Sequence, residues 1–282
     1  MSAFDQEWQA WLDQNLLRGC NVGELYKIMR ENGFDVGSIR QMMGAAYPVG
    51  IELEETASGV DYLSLAGTLE VHGQAAGVKR FDTNLLQLYL IDDFLTPEEC
   101  DKVVALTEAK LRPSKVTHDS GDKLYRTSST CHLDENLDPF VRHVDEKIAR
   151  TLGIRLPYSE PIQAQHYAIG QEFKAHHDYF VPNTDIYQQF AEDLGQRTWT
   201  FMVYLNDTLK GGGTHFLHID QIFYPKKGQA VIWNNLLPDG TPNRHTLHHG
   251  MPVEAGKKVI ITKWFREKGH GEMFYAEEGL AV

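Results

Sequence analysis

Long apolar stretches are absent from this 282-residue chain. No run approaches the roughly 20 residues that span a bilayer, and the opening MSAFDQEWQAW has neither the basic nor the apolar region of a secretory leader. The expectation is a cytoplasmic protein with no membrane partner. Cysteine is scarce: Cys20, Cys100 and Cys131 form no CxxC pair and no disulfide framework, so they read as reduced thiols. Positive charge is in deficit, with 27 Lys and Arg against 39 Asp and Glu and a net charge of -12. That balance disfavours nucleic acid or an anionic membrane as partner, since both need a basic footprint. Repeats and low-complexity tracts are missing too. What is present, 42% hydrophobic residues, suffices for one large core with a smaller satellite.

Residues 1–80 read as a small helical module and connector. Trp8, Trp11, Leu12 and Leu16 keep helical spacing, Asn21 with Glu24 makes a capping-box-like start to a second helix ending at Gly33, and Asp35 to Gly44 reads as a third. Three short helices suggest a DNA reader, but Arg18, Lys27, Arg30 and Arg40 stand against six acids. Phosphate binding needs the opposite sign, so a packing or homodimerisation module is the better reading. The connector carries Pro48, the acidic IELEE and several glycines, with TLEVHG as one expected strand.

The second unit spans 81–282. NLLQLYLIDDFL reads as a strand, Thr96-Pro97-Glu98-Glu99 as a capped helix start, and Asp138-Pro139 as another, with Gly153 as its stop. From Pro161 onward, IQAQHYAI, WTFMVYLN, THFLHI, IFYPKKGQAVIW, HTLHHGMPV and KKVIITKWF are short β-rich runs punctuated by Gly, Pro and Asn, as in a sandwich or barrel. The polar stretch VPNTDIYQQFAEDLGQ interrupts them. A loop leaving the strand before it is placed to act as a lid.

That strand holds the chemistry. In YAIGQEFKAHHDYF, His176 and Asp178 lie two positions apart on an extended segment and face the same side, so one imidazole and one carboxylate can grip one metal ion. A third ligand must come from elsewhere, and HHGMPVEAGKKVIITKWFR supplies His248 and, ten residues later, Lys258. Two imidazoles and a carboxylate on one face of a metal form the facial triad of non-haem Fe(II) oxygenases.

With LIDDFLTPEEC, YRTSST, QRTWTFMVYLND, GGGTHF and YPKKGQAVIWNN also present and in order, residues from about 86 to 268 resemble the catalytic domain of the prolyl 4-hydroxylase family of Fe(II)- and 2-oxoglutarate-dependent dioxygenases. The resemblance implies a mainly β fold with flanking helices (α+β), whose double-stranded β-helix, or jelly-roll, core holds the metal at one open end. It makes His176, Asp178 and His248 the iron ligands. His249 must face the other way, and His245 breaks the spacing to Lys258. It makes Lys258 the partner of the distal carboxylate of 2-oxoglutarate, with Tyr167 and Thr214 in the same pocket, and places Arg197 near the substrate. Period two on the last strand then puts Trp264 and Arg266 at the barrel mouth. In related halogenases a small residue replaces the carboxylate, so Asp178 favours hydroxylation, with Fe(II), 2-oxoglutarate and O2 as cofactor and cosubstrates.

Two departures bear on substrate. Phe173 stands where many members carry a tyrosine, and Arg266 where members can present a histidine. Hydroxylation of a proline-like residue in a peptide or protein is one reading. Hydroxylation of a free amino or imino acid, its carboxylate paired by Arg197 or Arg266, is the other. A third, an inactive cupin-like binding protein, is opposed by the complete triad with Lys258 and Tyr167.

Overall fold

The computed structural model describes residues 3–32, 34, 36–48, 60–72, 77–108, 110–114, 126–133 and 138–276. Helices α1 (Ala3–Leu17), α2 (Val22–Glu31) and α3 (Val36–Met43) pack around Leu12, Leu25, Met29, Phe34 and Ile39, a small core of their own. Asn21 opens α2 by accepting the N–H groups of Gly23 and Glu24 at 2.9 and 3.1 Å, donors that a first helical turn cannot satisfy internally. Gly33, Asp35 and the acidic stretch 51–55 lie outside the described residues.

The strand expected at TLEVHG is corrected: 62–72 form helix α4 (Tyr62–His72), and Gly73 lies outside the described residues. Leu65, Thr68 and Leu69 are buried, a spacing of three and four that makes a helical stripe. Leu65 and Leu69 belong to the main core, so packing overrides the β preference of Thr and Val. The connector's helix is thus built into the larger unit.

The larger unit continues with β1 (Lys79–Arg80), β2 (Leu88–Ile91), α5 (Pro97–Glu108), β3 (Arg112–Pro113), β4 (Ser129–His132) and α6 (Pro139–Leu152). A reciprocal capping box starts α5: Glu99 N–H donates to Thr96 Oγ1 at 3.2 Å and Thr96 N–H to Glu99 Oε2 at 2.9 Å. Asp138 caps α6, and Gly153, at φ 86°, ends it in the left-handed conformation. There follow β5 (Gln163–Tyr167), β6 (Phe173–His176), α7 (Asp185–Ala191), β7 (Arg197–Tyr204), β8 (Lys210–Gly211), β9 (Thr214–Phe216) and β10 (Gln221–Phe223). The chain closes with β11 (Ala230–Asn234), β12 (His248–Gly250), β13 (Val253–Ala255) and β14 (Lys258–Arg266).

An eight-stranded sheet in the order β1-β2-β11-β7-β14-β5-β4-β3 is accompanied by a four-stranded sheet, β10-β9-β12-β6, and a β13-β8 pair. All named pairings are antiparallel, and the architecture is the mainly β jelly-roll with flanking helices. Side chains alternate between two cores, as period two requires. Trp199, Phe201 and Val203 of β7 and Val259, Ile261 and Phe265 of β14 join the core shared with α4, α5 and α6. Met202, Tyr204 and Ile260 join Phe216 and Trp233 between the sheets. Both faces of β14 are therefore covered, and all nine of its residues are buried. Two segments expected as strand fold tighter: Leu217–Ile219 and Arg244–Thr246 are 3-10 turns.

Candidate metal and cosubstrate site

β6 and β12 are neighbours in the smaller sheet, with His248 directly opposite His176. That register brings His176, Asp178 and His248 together, with one ligand atom from each within 4.8 Å of the others. Asp178 follows the end of β6. Each donor is held from behind. His176 Nδ1 lies 2.7 Å from Lys174 O and His248 Nδ1 2.9 Å from Thr246 O. Only an N–H can bond a carbonyl, so both Nε2 atoms are left as acceptors for a metal. Asp178 Oδ2 accepts from Thr200 Oγ1 at 2.8 Å, Thr200 Oγ1 accepts from Asn235 Nδ2 at 2.9 Å, and Asn235 Oδ1 accepts from Trp233 Nε1 at 3.0 Å. Asp178 Oδ1 remains, 3.7 Å from His176 Nε2.

Electrostatics keep these groups in ligand form. Burial, reinforced by neighbouring His248, pulls the His176 pKa well below the usual imidazole range, and burial lowers that of His248. Burial alone would raise Asp178, but His248, His176 and Arg197 outweigh it and hold the carboxyl below its ordinary value. Two neutral imidazoles and a carboxylate suit Fe(II) by donor type and leave coordination positions open.

Behind the triad, an inner pocket is lined by Gln165, Tyr167, Thr214, Lys258 and Thr262. Lys258 is 2% exposed. Its Nζ lies 3.4 Å from Thr214 Oγ1 and between the rings of Tyr167 and Tyr204, at 5.4 and 5.6 Å. Burial pulls its pKa down to about 7, so near neutral pH it is only partly an ammonium, and an anion entering here would favour that form with little competing solvation. Thr214 also accepts from Tyr204 OH at 2.7 Å. Tyr167 OH donates to Gln165 Oε1 at 2.7 Å, and Gln165 Nε2 bonds Thr262 Oγ1 at 3.1 Å.

In front of the triad lies a cavity of about 600 Å³, walled in part by Arg126, Phe173, His177, Ile186, Arg197 and Trp264. Phe173 stacks on His176 with ring centroids 3.5 Å apart. The polar stretch after Phe180 forms one side, carrying α7, whose cap Thr184 accepts the Tyr187 N–H at 3.2 Å. Its base is clasped by Gln196, whose side chain accepts from Phe180 N and donates to Phe180 O, both at 2.7 Å.

The arginines part company. Arg197 lines the cavity, stacked 4.0 Å over Trp264. Arg266, expected at the barrel mouth by period two, is not among the residues that line this cavity. The pairing of β14 with β7 shifts register between Trp264 and Arg266, a bulge that breaks the alternation. The Arg266 guanidinium bonds Glu160 Oε1 at 2.7 Å and the Phe190 carbonyl. Glu160 also takes Arg197 in two bonds of 2.7 Å. Burial alone would raise its carboxyl, but Arg197 and Arg266 hold it below the usual range. Sequence reasoning missed Glu160, Gln165, Thr200 and Asn235, and also Arg126, which bonds neutral Ser128 and Gln163 at 3.1 and 2.8 Å. Of these, Arg126 lay in the quoted YRTSST, Thr200 in QRTWTFMVYLND and Asn235 in YPKKGQAVIWNN, so the motifs themselves carried a signal for three.

Four other histidines among the described residues are engaged elsewhere. His249 Nε2 bonds Glu172 at 2.9 Å, His166 Nε2 lies 2.8 Å from Thr107 Oγ1, and His215 Nε2 lies 3.1 Å from Asp220. His177 Nε2 donates to Arg244 O at 3.1 Å.

Residues 162–266 match the family model of the 2OG-Fe(II) oxygenase superfamily. The chain is 30% identical over 181 residues to a putative prolyl 4-hydroxylase of Acanthamoeba polyphaga mimivirus, covering 64% of this chain and 74% of the viral one. It is 34% identical over 292 residues to mouse prolyl 4-hydroxylase subunit alpha-3, covering 95% of this chain but only 52% of the mouse protein, so it spans about half that relative's length. Among solved structures, the viral collagen prolyl hydroxylase of Paramecium Bursaria Chlorella virus-1, in complex with 2OG, superposes with a TM-score of 0.50 at 26% identity, over 64% of this chain and 96% of that one. With the His176, Asp178 and His248 cluster at its centre, the chain belongs to the prolyl 4-hydroxylase family of 2-oxoglutarate- and Fe(II)-dependent oxygenases.

Proposed function

We propose that the protein hydroxylates a proline residue within a peptide or protein, with Fe(II), 2-oxoglutarate and O2. The choice of a peptidyl substrate follows the relatives bearing the name prolyl 4-hydroxylase, and the engagement of Arg197 and Arg266 by Glu160 agrees with it. A free amino acid needs a cation for its carboxylate, and the two arginines offered by the sequence, Arg197 and Arg266, are both held at 2.7 Å by the single Glu160 carboxylate, while Arg126, bonded to the neutral Ser128 and Gln163, is a further cation of the cavity.

In this reading Fe(II), with 2-oxoglutarate and dioxygen, supplies the oxidising power to place a hydroxyl on an unactivated C–H bond while the cosubstrate loses carbon dioxide and becomes succinate. The chain supplies position and shelter. His176, Asp178 and His248 hold the metal, oriented by Lys174 O, Thr246 O and Thr200. Lys258, with Thr214 beside it, binds the distal carboxylate, and Tyr167 walls that pocket. Phe173 and Trp264 line both inner pocket and outer cavity and exclude water between them. Arg126, in the outer cavity, donates to peptide carbonyls. The loop 181–196 with α7 closes over the bound segment.

The test is direct turnover: the purified chain with Fe(II), 2-oxoglutarate and either proline-rich peptides or free amino acids, read by succinate and by product mass. Hydroxylated peptide is the expected product. Hydroxylated free acid with untouched peptide would reverse the substrate assignment.

A further inference from the structure

The N-terminal helices, expected to serve packing or homodimerisation, take no part in the proposed chemistry. Among the described residues, they meet the larger unit at the segment 235–247 that leads into His248. Arg30 Nη1 lies 3.0 Å from Asp239 Oδ2, and the Arg244 guanidinium sits 3.8 Å above the ring of Phe34. Arg30 also donates to Phe34 O at 3.2 Å, tying the two contacts together. The Arg30–Asp239 pair is partly exposed and holds little by itself. The stack is different, because Phe34 and Arg244 are both buried, at 1% and 6% exposure, and a desolvated cation over a ring is the strong form of that contact.

Arg244 opens the 3-10 turn Arg244–Thr246, and both ends of this turn reach the metal site. At one end, Arg244 O accepts the N–H of His177, which stands between His176 and Asp178. At the other, Thr246 O accepts the Nδ1–H of His248 and sets the orientation of that ligand. The start of the loop is tied in as well: Asn235, whose amide holds Thr200 against Asp178, accepts the Asn243 N–H at 2.8 Å. All three ligands, on two segments, therefore lean on a loop whose outer face is gripped by the helical module.

We propose that the N-terminal module is a brace for the metal site, with Phe34 a positioning residue that acts through Arg244 and the Arg244–Thr246 turn. Outer partners of this kind tune ligand geometry and affinity without touching the metal. The inference rests on the metal reading above but not on the identity of the substrate.

The experiment is titration of the full-length metal-free protein with Co(II) as the divalent probe, alongside hydrogen exchange of segments 176–178 and 244–250. Variants are Phe34→Leu, Arg244→Met and Phe34→Tyr. Phe34→Leu loosens the module's own core, where Phe34 also meets Trp8 at 5.2 Å; Arg244→Met leaves that core intact and removes only the cation. Both should raise the Co(II) dissociation constant about 3- to 10-fold and speed exchange in both segments, while Phe34→Tyr stays within about twofold of wild type. Wild-type Co(II) affinity in either Phe34→Leu or Arg244→Met, whatever the change in melting temperature, overturns the brace. So does a Phe34→Tyr variant as weak as Phe34→Leu. Failure of the wild type itself to bind Co(II) would instead remove the metal reading on which the brace rests.

Discussion

Glu160 and Arg197 are joined by two parallel hydrogen bonds of 2.7 Å, one from Nε and one from an Nη, at the edge of the substrate cavity. A fork of this kind fixes the guanidinium plane as well as its charge. The plane in turn lies on Trp264 at 4.0 Å, and another Nη reaches Asp178 O at 3.4 Å. Glu160→Gln leaves Arg197 and Arg266 with no carboxylate between them. The expected outcome is a loss of about 3 kcal/mol of stability, the lower range for breaking a buried pair, measured by denaturant unfolding. A second outcome is improved use of free acids relative to their amides, since the freed guanidinium can now take a carboxylate.

Removing a ligand tests register. His248→Ala should abolish metal-dependent turnover, whereas His249→Ala, which loses only the Glu172 contact, should keep most of it. Parallel titrations with Fe(II) or Co(II) check the pair. Equal damage in both would place the ligand strand one residue out.

The Thr200 hydroxyl is the nearest support of the metal carboxylate. Thr200→Val keeps the shape and removes the bond, leaving Asp178 Oδ2 and the Asn235 amide without their partner. Metal affinity should fall about 10- to 100-fold, read by the Fe(II) concentration for half-maximal activity, with little change in 2-oxoglutarate requirement.

Lys258 predicts a pH dependence with a definite sign. Burial places its pKa at about 7, and a bound dianion raises it. Below pH 7 the ammonium is already formed; above it, cosubstrate binding must take up a proton. The KM for 2-oxoglutarate should therefore rise with pH above 7, by up to about tenfold per unit, and be flat below. Lys258→Ala should raise that KM by an amount on the order of 3–5 kcal/mol at and below pH 7 and remove the slope, so that the gap to wild type narrows as the pH rises.

The triad was legible because metal ligation imposes local spacing: HxD on an extended segment and a histidine ten residues before a lysine are visible in one dimension. Period two on β14 correctly grouped Lys258, Thr262 and Trp264 into one pocket, and it failed at Arg266, where the register shift leaves no trace in composition. Glu160 was invisible for another reason. Its partners lie 37 and 106 residues away, and no local pattern says that two arginines will share one carboxylate. The same holds for Phe34 and Arg244, brought together only by docking of the module. At α4 the β-prone TLEVH run pointed the wrong way because the decisive contacts, Leu65 and Leu69 in the main core, are tertiary.

The central claim is that this metal site acts on a proline within a chain. The most direct measurement pairs one proline-rich peptide with free proline in the same reaction with Fe(II) and 2-oxoglutarate, following succinate and the mass of both candidates. The expected result is a peptide heavier by one oxygen atom, succinate formed in step with it, and unchanged free proline. Oxygen incorporated into free proline with the peptide unmodified would contradict it.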